Sequence, residues 1–134
     1  MSTTIDYFNH NISVESSFGY SQAVRSDDLV HVSGQLAFSE EGELLHPGDA
    51  AAQVKVTHAW MDKVLAHYSA TRRQIVSQVL YVVNLRENFE ATAQANVSYF
   101  GDHRPAATIL GVPDLGFPDQ LIEISFIIDM KLPA

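Results

Sequence analysis

A chain of 134 residues with 46% hydrophobic and 18% charged side chains is long enough for one compact core and too apolar for a disordered scaffold. Eight Lys and Arg against sixteen Asp and Glu give a formal charge of −8 with the cations scattered, so no nucleic-acid partner is expected. The lack of cysteine excludes disulfides, thiolate nucleophiles and Cys-ligated metals, no apolar run approaches the roughly 20 residues of a membrane span, and Met1–Asn11 has no basic start and apolar middle; the expectation is one cytoplasmic domain, 1–134, without a membrane partner.

In chain order, residues 1–17 lack periodicity and read as an irregular N-terminal arm with room for a short strand. Ser21–Val24 and Leu29–Gln35 flank the polar Arg25–Asp28 as a hairpin would, and Leu36–Phe38 extends the second strand. Ser39–Leu45 and His46–Gly48 carry the Gly and Pro of a chain reversal. Asp49 is placed to cap a helix over Ala50–Tyr68, whose Ala50, Val54, Met61, Val64, Leu65 and Tyr68 share one arc. Ile75–Leu85 is rich in β-branched residues and predicts a buried strand. A second helix opens at Glu87 or Asn88 and runs to about Phe100, with Phe89, Ala93, Val97 and Phe100 on one face and Gly101 as its C-cap.

Ala106–Val112 reads as a strand, Pro113–Asp119 as a loop, and Leu121–Met130 as the most regular strand of all. There Ile122, Ile124, Phe126, Ile128 and Met130 point one way and Glu123, Ser125 and Asp129 the other. The order ββ, helix, β, helix, ββ predicts an α+β domain, a mixed sheet with two helices packed on one face. Leu121, Ser125 and Ile127 on the second face make self-association the simplest cover.

His10, His31, His46, His58, His67 and His103 form neither an HExxH nor an HxH pattern, so no metal site is expected. His58 and His67, nine apart on one helix, read as partly exposed residues. Walker A, GxGxxG and GxSxG signatures are all missing, which removes nucleotide and serine-hydrolase readings. Glu123 is more pointed, because a carboxylate inside an apolar strand has to be solvated, paired or used, and general acid–base work is one use. Tyr20 beside Gly19, Ser33 before Gly34 and Arg104 before Pro105 complete a sparse set, each of which taken singly is also an ordinary strand-end, turn or core feature.

Four segments in order, Gly19-Tyr20-Ser21-Gln22-Ala23-Val24, Val32-Ser33-Gly34-Gln35, Arg104-Pro105-Ala106-Ala107-Thr108 and Leu121-Ile122-Glu123-Ile124, resemble the RidA/YjgF family, also labelled endoribonuclease L-PSP. The resemblance spans roughly Gly19 to Met130. It implies a chorismate-mutase-like α+β fold and a homotrimer with clefts between subunits. In members with deaminase activity those clefts hydrolyse imines and enamines such as 2-aminoacrylate to the keto acid and ammonia, without metal or cofactor. Residue by residue, Tyr20 matches the cleft tyrosine, Ser33 and Gly34 the strand-end pair, and Glu123 the acid that orients or activates water.

The departures are as informative. The position of the arginine that grips the substrate carboxylate is Ala107, that of the cysteine or small cleft residue is Ile109, and the second-helix asparagine falls at Ala93. Each charge-assisted hydrogen bond of that lost fork is worth about 1.5–3 kcal/mol, so a 2-imino acid should bind poorly. Arg104, three residues earlier, would face away from Ala107 on a strand and does not replace it by a simple swap. The reading is therefore a small-molecule protein: a cofactor-independent hydrolase of C=N bonds whose substrate is not held by its carboxylate, or a non-catalytic binding trimer of the same fold. The older ribonuclease label fits poorly with a charge of −8.

Overall fold

Alternating apolar and polar residues set the last strand at the middle of the molecule. The computed structural model describes residues 5–134, so the first four residues of the predicted arm lie outside the described residues. The elements are β1 (Asp6–Phe8), α1 (Ser13–Phe18), β2 (Ala23–Ser26), β3 (Leu29–Gln35), α2 (Ala50–His67), β4 (Ile75–Val83), α3 (Leu85–Phe100), β5 (Ala106–Val112) and β6 (Ile122–Asp129). Six strands form one sheet in the order β1-β2-β3-β6-β4-β5. Only β4 and β5 pair in parallel, with α3 as their crossover, and the other pairings are antiparallel.

The helix-side face of the sheet supplies Val30, Val32, Leu80, Val82 and the four apolar residues of β6, against which α2 packs Val54, Met61, Val64 and Leu65. All six residues of the predicted α2 arc are buried, and Asp49 Oδ1 accepts from the backbone N–H of Ala52 at 3.1 Å, as a cap should. Glu123, Ser125 and Ile127 face the other way, half-buried beside Val79 and Tyr81 of β4. No helix among the described residues is long and apolar enough to cross a membrane.

Four local expectations change. The arm does hold a short strand, but also the helix α1, whose Glu15 carboxylate accepts from the backbone N–H groups of His10, Asn11 and Ile12 at 2.7, 3.1 and 3.2 Å. Leu36–Phe38 leaves the sheet, and Phe38 bridges Leu44 instead. In α3, Thr92, Tyr99 and Phe100 face inward while Phe89 and Val97 are exposed; the inner face was concealed by Thr92, whose hydroxyl is satisfied locally by Asn88 O at 2.7 Å. His58 is only 4% exposed and stacks on Tyr99 with ring centroids 3.8 Å apart, whereas His67 is exposed. Burial pushes the His58 pKa down to about 4, so the ring is neutral.

Gln53 ties α2 to the approach of β6. Fully buried, it donates to His46 O and Asp119 O at 3.0 and 3.1 Å and accepts from the N–H of Leu121 at 2.8 Å. Gln53→Leu strands Asp119 O and the Leu121 N–H, while His46 O keeps the Asp49 N–H, and a loss of about 2 kcal/mol is expected, read as a lower denaturant midpoint at unchanged slope.

Candidate functional site

β3 carries the irregularity that opens the site. Its register against β6 shifts between Val32 and Gln35, so Ser33 and Gly34 leave the regular ladder. The gap is filled from the neighbouring strand, because a Cβ at Gly34 would lie 2.6 Å from Glu123 Cδ and 2.7 Å from its Cγ. Gly34 is therefore needed for space, and the Glu123 carboxylate lies across its bare backbone. Gly34→Ala meets a flexible side chain and is expected to fold with nearly parental stability while pushing the carboxylate toward solvent. Its NMR titration should then move down toward the ordinary carboxylate range.

A cavity of about 510 Å³ surrounds this contact. Tyr20, Ser33, Gly34, Gln120 and Glu123 form its polar wall, and Val14, Phe18, Leu36, Phe38, Leu115 and Phe117 its apolar one. Burial pushes the Glu123 carboxyl above the usual range, partly offset by Gln120 Nε2, which donates to Glu123 Oε1 at 3.2 Å. Gln120 is itself buried and also braces the loop, donating to Ile122 O and accepting from Phe117 N–H.

Tyr20 follows Gly19, which ends α1 in the left-handed region at φ 93°, where a Cβ would be strained. That turn sets Phe18 and Tyr20 edge to face, 5.9 Å between centroids. Burial also raises the Tyr20 hydroxyl above its ordinary pKa, so it stays protonated. Ser33 donates its hydroxyl proton to Ser21 O at 2.7 Å, a strut between β3 and the segment before β2, leaving its oxygen only as an acceptor.

The cavity thus unites Tyr20, Ser33, Gly34 and Glu123, but not the other expected residues. Ala107 and Ile109 lie on β5 in register with Gln78 and Leu80, both buried on the helix side of β4. Glu123 pairs with Tyr81 on the opposite face, with β4 between it and β5. Two strand spacings, about 10 Å, and a change of face separate them within one chain. Arg104 precedes β5 and is not on a strand; its guanidinium donates to Gly101 O and, at 3.0 Å, to His103 O, closing the end of α3. Ala93, on α3, is likewise outside the cavity. Sequence reasoning missed Gln120, Phe18 and Phe117, for which local apolar patterning carries no signal. Among the described residues no three His, Asp or Glu side chains gather as a metal cluster.

A mixed sheet backed by helices, with a desolvated carboxylate and a phenol facing one small cavity, defines the class: an α+β domain of the chorismate-mutase-like kind. Over residues 11–129 the chain matches the family described as Endoribonuclease L-PSP. It is 30% identical over 106 residues to 3-aminoacrylate deaminase RutC of Acinetobacter baylyi, covering 79% of this chain and 82% of that one. The crystal structure of a Mycobacterium tuberculosis member of the YjgF/YER057c/UK114 family matches with TM-score 0.83 at 25% identity, over 94% of this chain and 99% of that chain. Yeast Mmf1 matches with TM-score 0.81 at 20% identity, over 96% and 100%. The chain belongs to the RidA/YjgF family and has its chorismate-mutase-like α+β fold.

Proposed function

We propose that the protein hydrolyses a small neutral imine or enamine bearing an apolar group, in clefts completed by neighbouring subunits of a homotrimer. The observation that carries this is the Glu123 carboxylate held across Gly34 in a cavity that also contains the Tyr20 hydroxyl. Glu123, made more basic by burial, takes a proton from water as its oxygen adds to the C=N carbon. The carbinolamine then expels ammonia after its nitrogen is protonated, so one water and one imine give one carbonyl product and one ammonia. Tyr20 donates a hydrogen bond to the substrate.

Two features support the substrate class and the assembly. Among the described residues no Lys or Arg lines the cavity, while six apolar side chains do, which disfavours a carboxylate and suits an alkyl or aromatic group. Ala107 and Ile109 face away from their own chain's cavity, so a cleft using both sets of residues needs two copies, where a carbonyl near Ala107–Ile109 helps hold the water. The test is ammonia release from a panel of in situ generated imines. Turnover of neutral apolar imines with little activity on 2-aminoacrylate is expected, and rates equal to background across the panel would overturn the hydrolase reading. The same apolar wall favours a second reading, a trimer that holds a neutral metabolite without turnover, which saturable thermal shifts without ammonia release would select.

A further inference from the structure

Behind Tyr20 runs a continuous file of polar side chains, two buried amides and the half-buried His10. Gln22 Nε2 meets Tyr20 Oη at 3.1 Å, Gln35 Nε2 meets Gln22 Oε1 at 2.9 Å, and His10 Nε2 meets Gln35 Oε1 at 2.8 Å. Gln22 and Gln35 are fully buried, where an unmade hydrogen bond is costly, so each amide has to be oriented.

One acceptor sets the direction of the whole file. Gln35 also contacts Ser33 O at 2.9 Å, and a backbone carbonyl can only accept, so the Gln35 end facing it is the NH₂. The other end of Gln35 is then its carbonyl oxygen, which requires His10 Nε2 to carry the proton. The second N–H of Gln35 goes to Gln22 Oε1, which turns the Gln22 NH₂ toward Tyr20. Tyr20 Oη accepts that bond, and its own proton is left for the cavity that Tyr20 lines.

We propose that His10, Gln35 and Gln22 are positioning residues that set the Tyr20 hydroxyl as a hydrogen-bond donor into the cavity. This deepens the hydrolase reading and rests on it for its use: a donor facing the nitrogen of a C=N bond polarises the bond toward attack by water. The file starts in the arm, where His10 is held between Phe8 and Trp60, with ring centroids 5.2 and 4.6 Å away, and its backbone N–H is bound by Glu15. The arm is thereby part of the site's construction, although none of His10, Gln22 or Gln35 lines the cavity.

Reversing the file tests it. Gln35→Glu is nearly isosteric and, once ionised at the alkaline pH where a phenol titrates, only accepts, so Gln22 turns its NH₂ to residue 35 and its oxygen to Tyr20, which then donates to it. With 3-fluorotyrosine incorporated and the Tyr20 signal assigned by Tyr20→Phe, ¹⁹F NMR should show the Tyr20 phenol titrating about one unit higher in Gln35→Glu, the size of one neutral hydrogen bond. His10→Leu removes the donor on Gln35 Oε1 but leaves Ser33 O to orient the amide, so it should move the phenol by much less, and His10→Gln, which retains a donor, should restore the parental titration. Parental titration in Gln35→Glu, with native circular dichroism, would overturn the proposal. The titration needs no substrate, so a shifted phenol in a protein without turnover upholds the file and overturns only the hydrolase reading.

Discussion

Replacing Glu123 with Gln is expected to make the protein more stable and to remove the proposed hydrolytic activity. Burial holds the Glu123 carboxyl above its ordinary pKa, so the folded state binds that proton more readily than the unfolded chain does. Below the unfolded value, about 4.3, the carboxyl is neutral in both states and the substitution changes little. As pH rises through the folded value the parent must hold a desolvated charge, and a difference opens in favour of Glu123→Gln. At neutral pH it should appear as a higher Tm for the variant than for the parent, since the amide still accepts from Gln120. Ammonia release should fall about 10²–10⁴-fold, as for loss of a general base. The parent's acid limb in kcat/KM should lie above the ordinary carboxylate range. A variant that melts lower than the parent at pH 7 and keeps its rate would remove Glu123 from the mechanism.

Ala107→Arg should confer turnover of 2-aminoacrylate that the parent lacks. Restoring a bidentate guanidinium–carboxylate contact is worth about 3 kcal/mol or more, on the order of 10²-fold in affinity. The geometry adds a sharper condition, because Ala107 is exposed on the edge strand β5, on the opposite face from Glu123 and with β4 between. The new guanidinium can therefore serve only a neighbour's cavity. Chains carrying both Ala107→Arg and Glu123→Gln should be inactive alone, yet become active when co-assembled with parental chains, which contribute the carboxylate. Failure of the mixture while Ala107→Arg alone is active would place arginine and carboxylate within one chain and contradict the two-subunit cleft.

How much could be read beforehand depended on which interactions leave a periodic trace. Strand β6 and the inner arc of α2 were legible because their apolar residues recur at 2.0 and 3.6 residues. Glu123 was legible because it interrupts an apolar strand. The inner face of α3 was not, since Thr92 satisfies its hydroxyl on Asn88 O and so takes an apolar residue's place, while Phe89 and Val97 face out. Helix α1 depends on Glu15 binding three backbone N–H groups, a local device without periodicity. Gln22, just before β2, and Gln35, at the end of β3, carry no periodic signal of their own, and only spatial neighbours disclose their direction. Arg104 shows a related limit: strand parity says nothing about a residue whose guanidinium is bound at the end of a helix.

The insertion of β6 between β3 and β4 carries a consequence for synthesis. Its partners are separated in sequence by the whole of α2, so neither finds its neighbour until β6 arrives between them. A nascent chain that has emerged only as far as β5 holds two disjoint ribbons, β1-β2-β3 and β4-β5, each with an unpaired edge. The strand that joins them is also the one that delivers Glu123. Structural closure and the acid group thus arrive in a single step of translation, and a prematurely terminated product has neither.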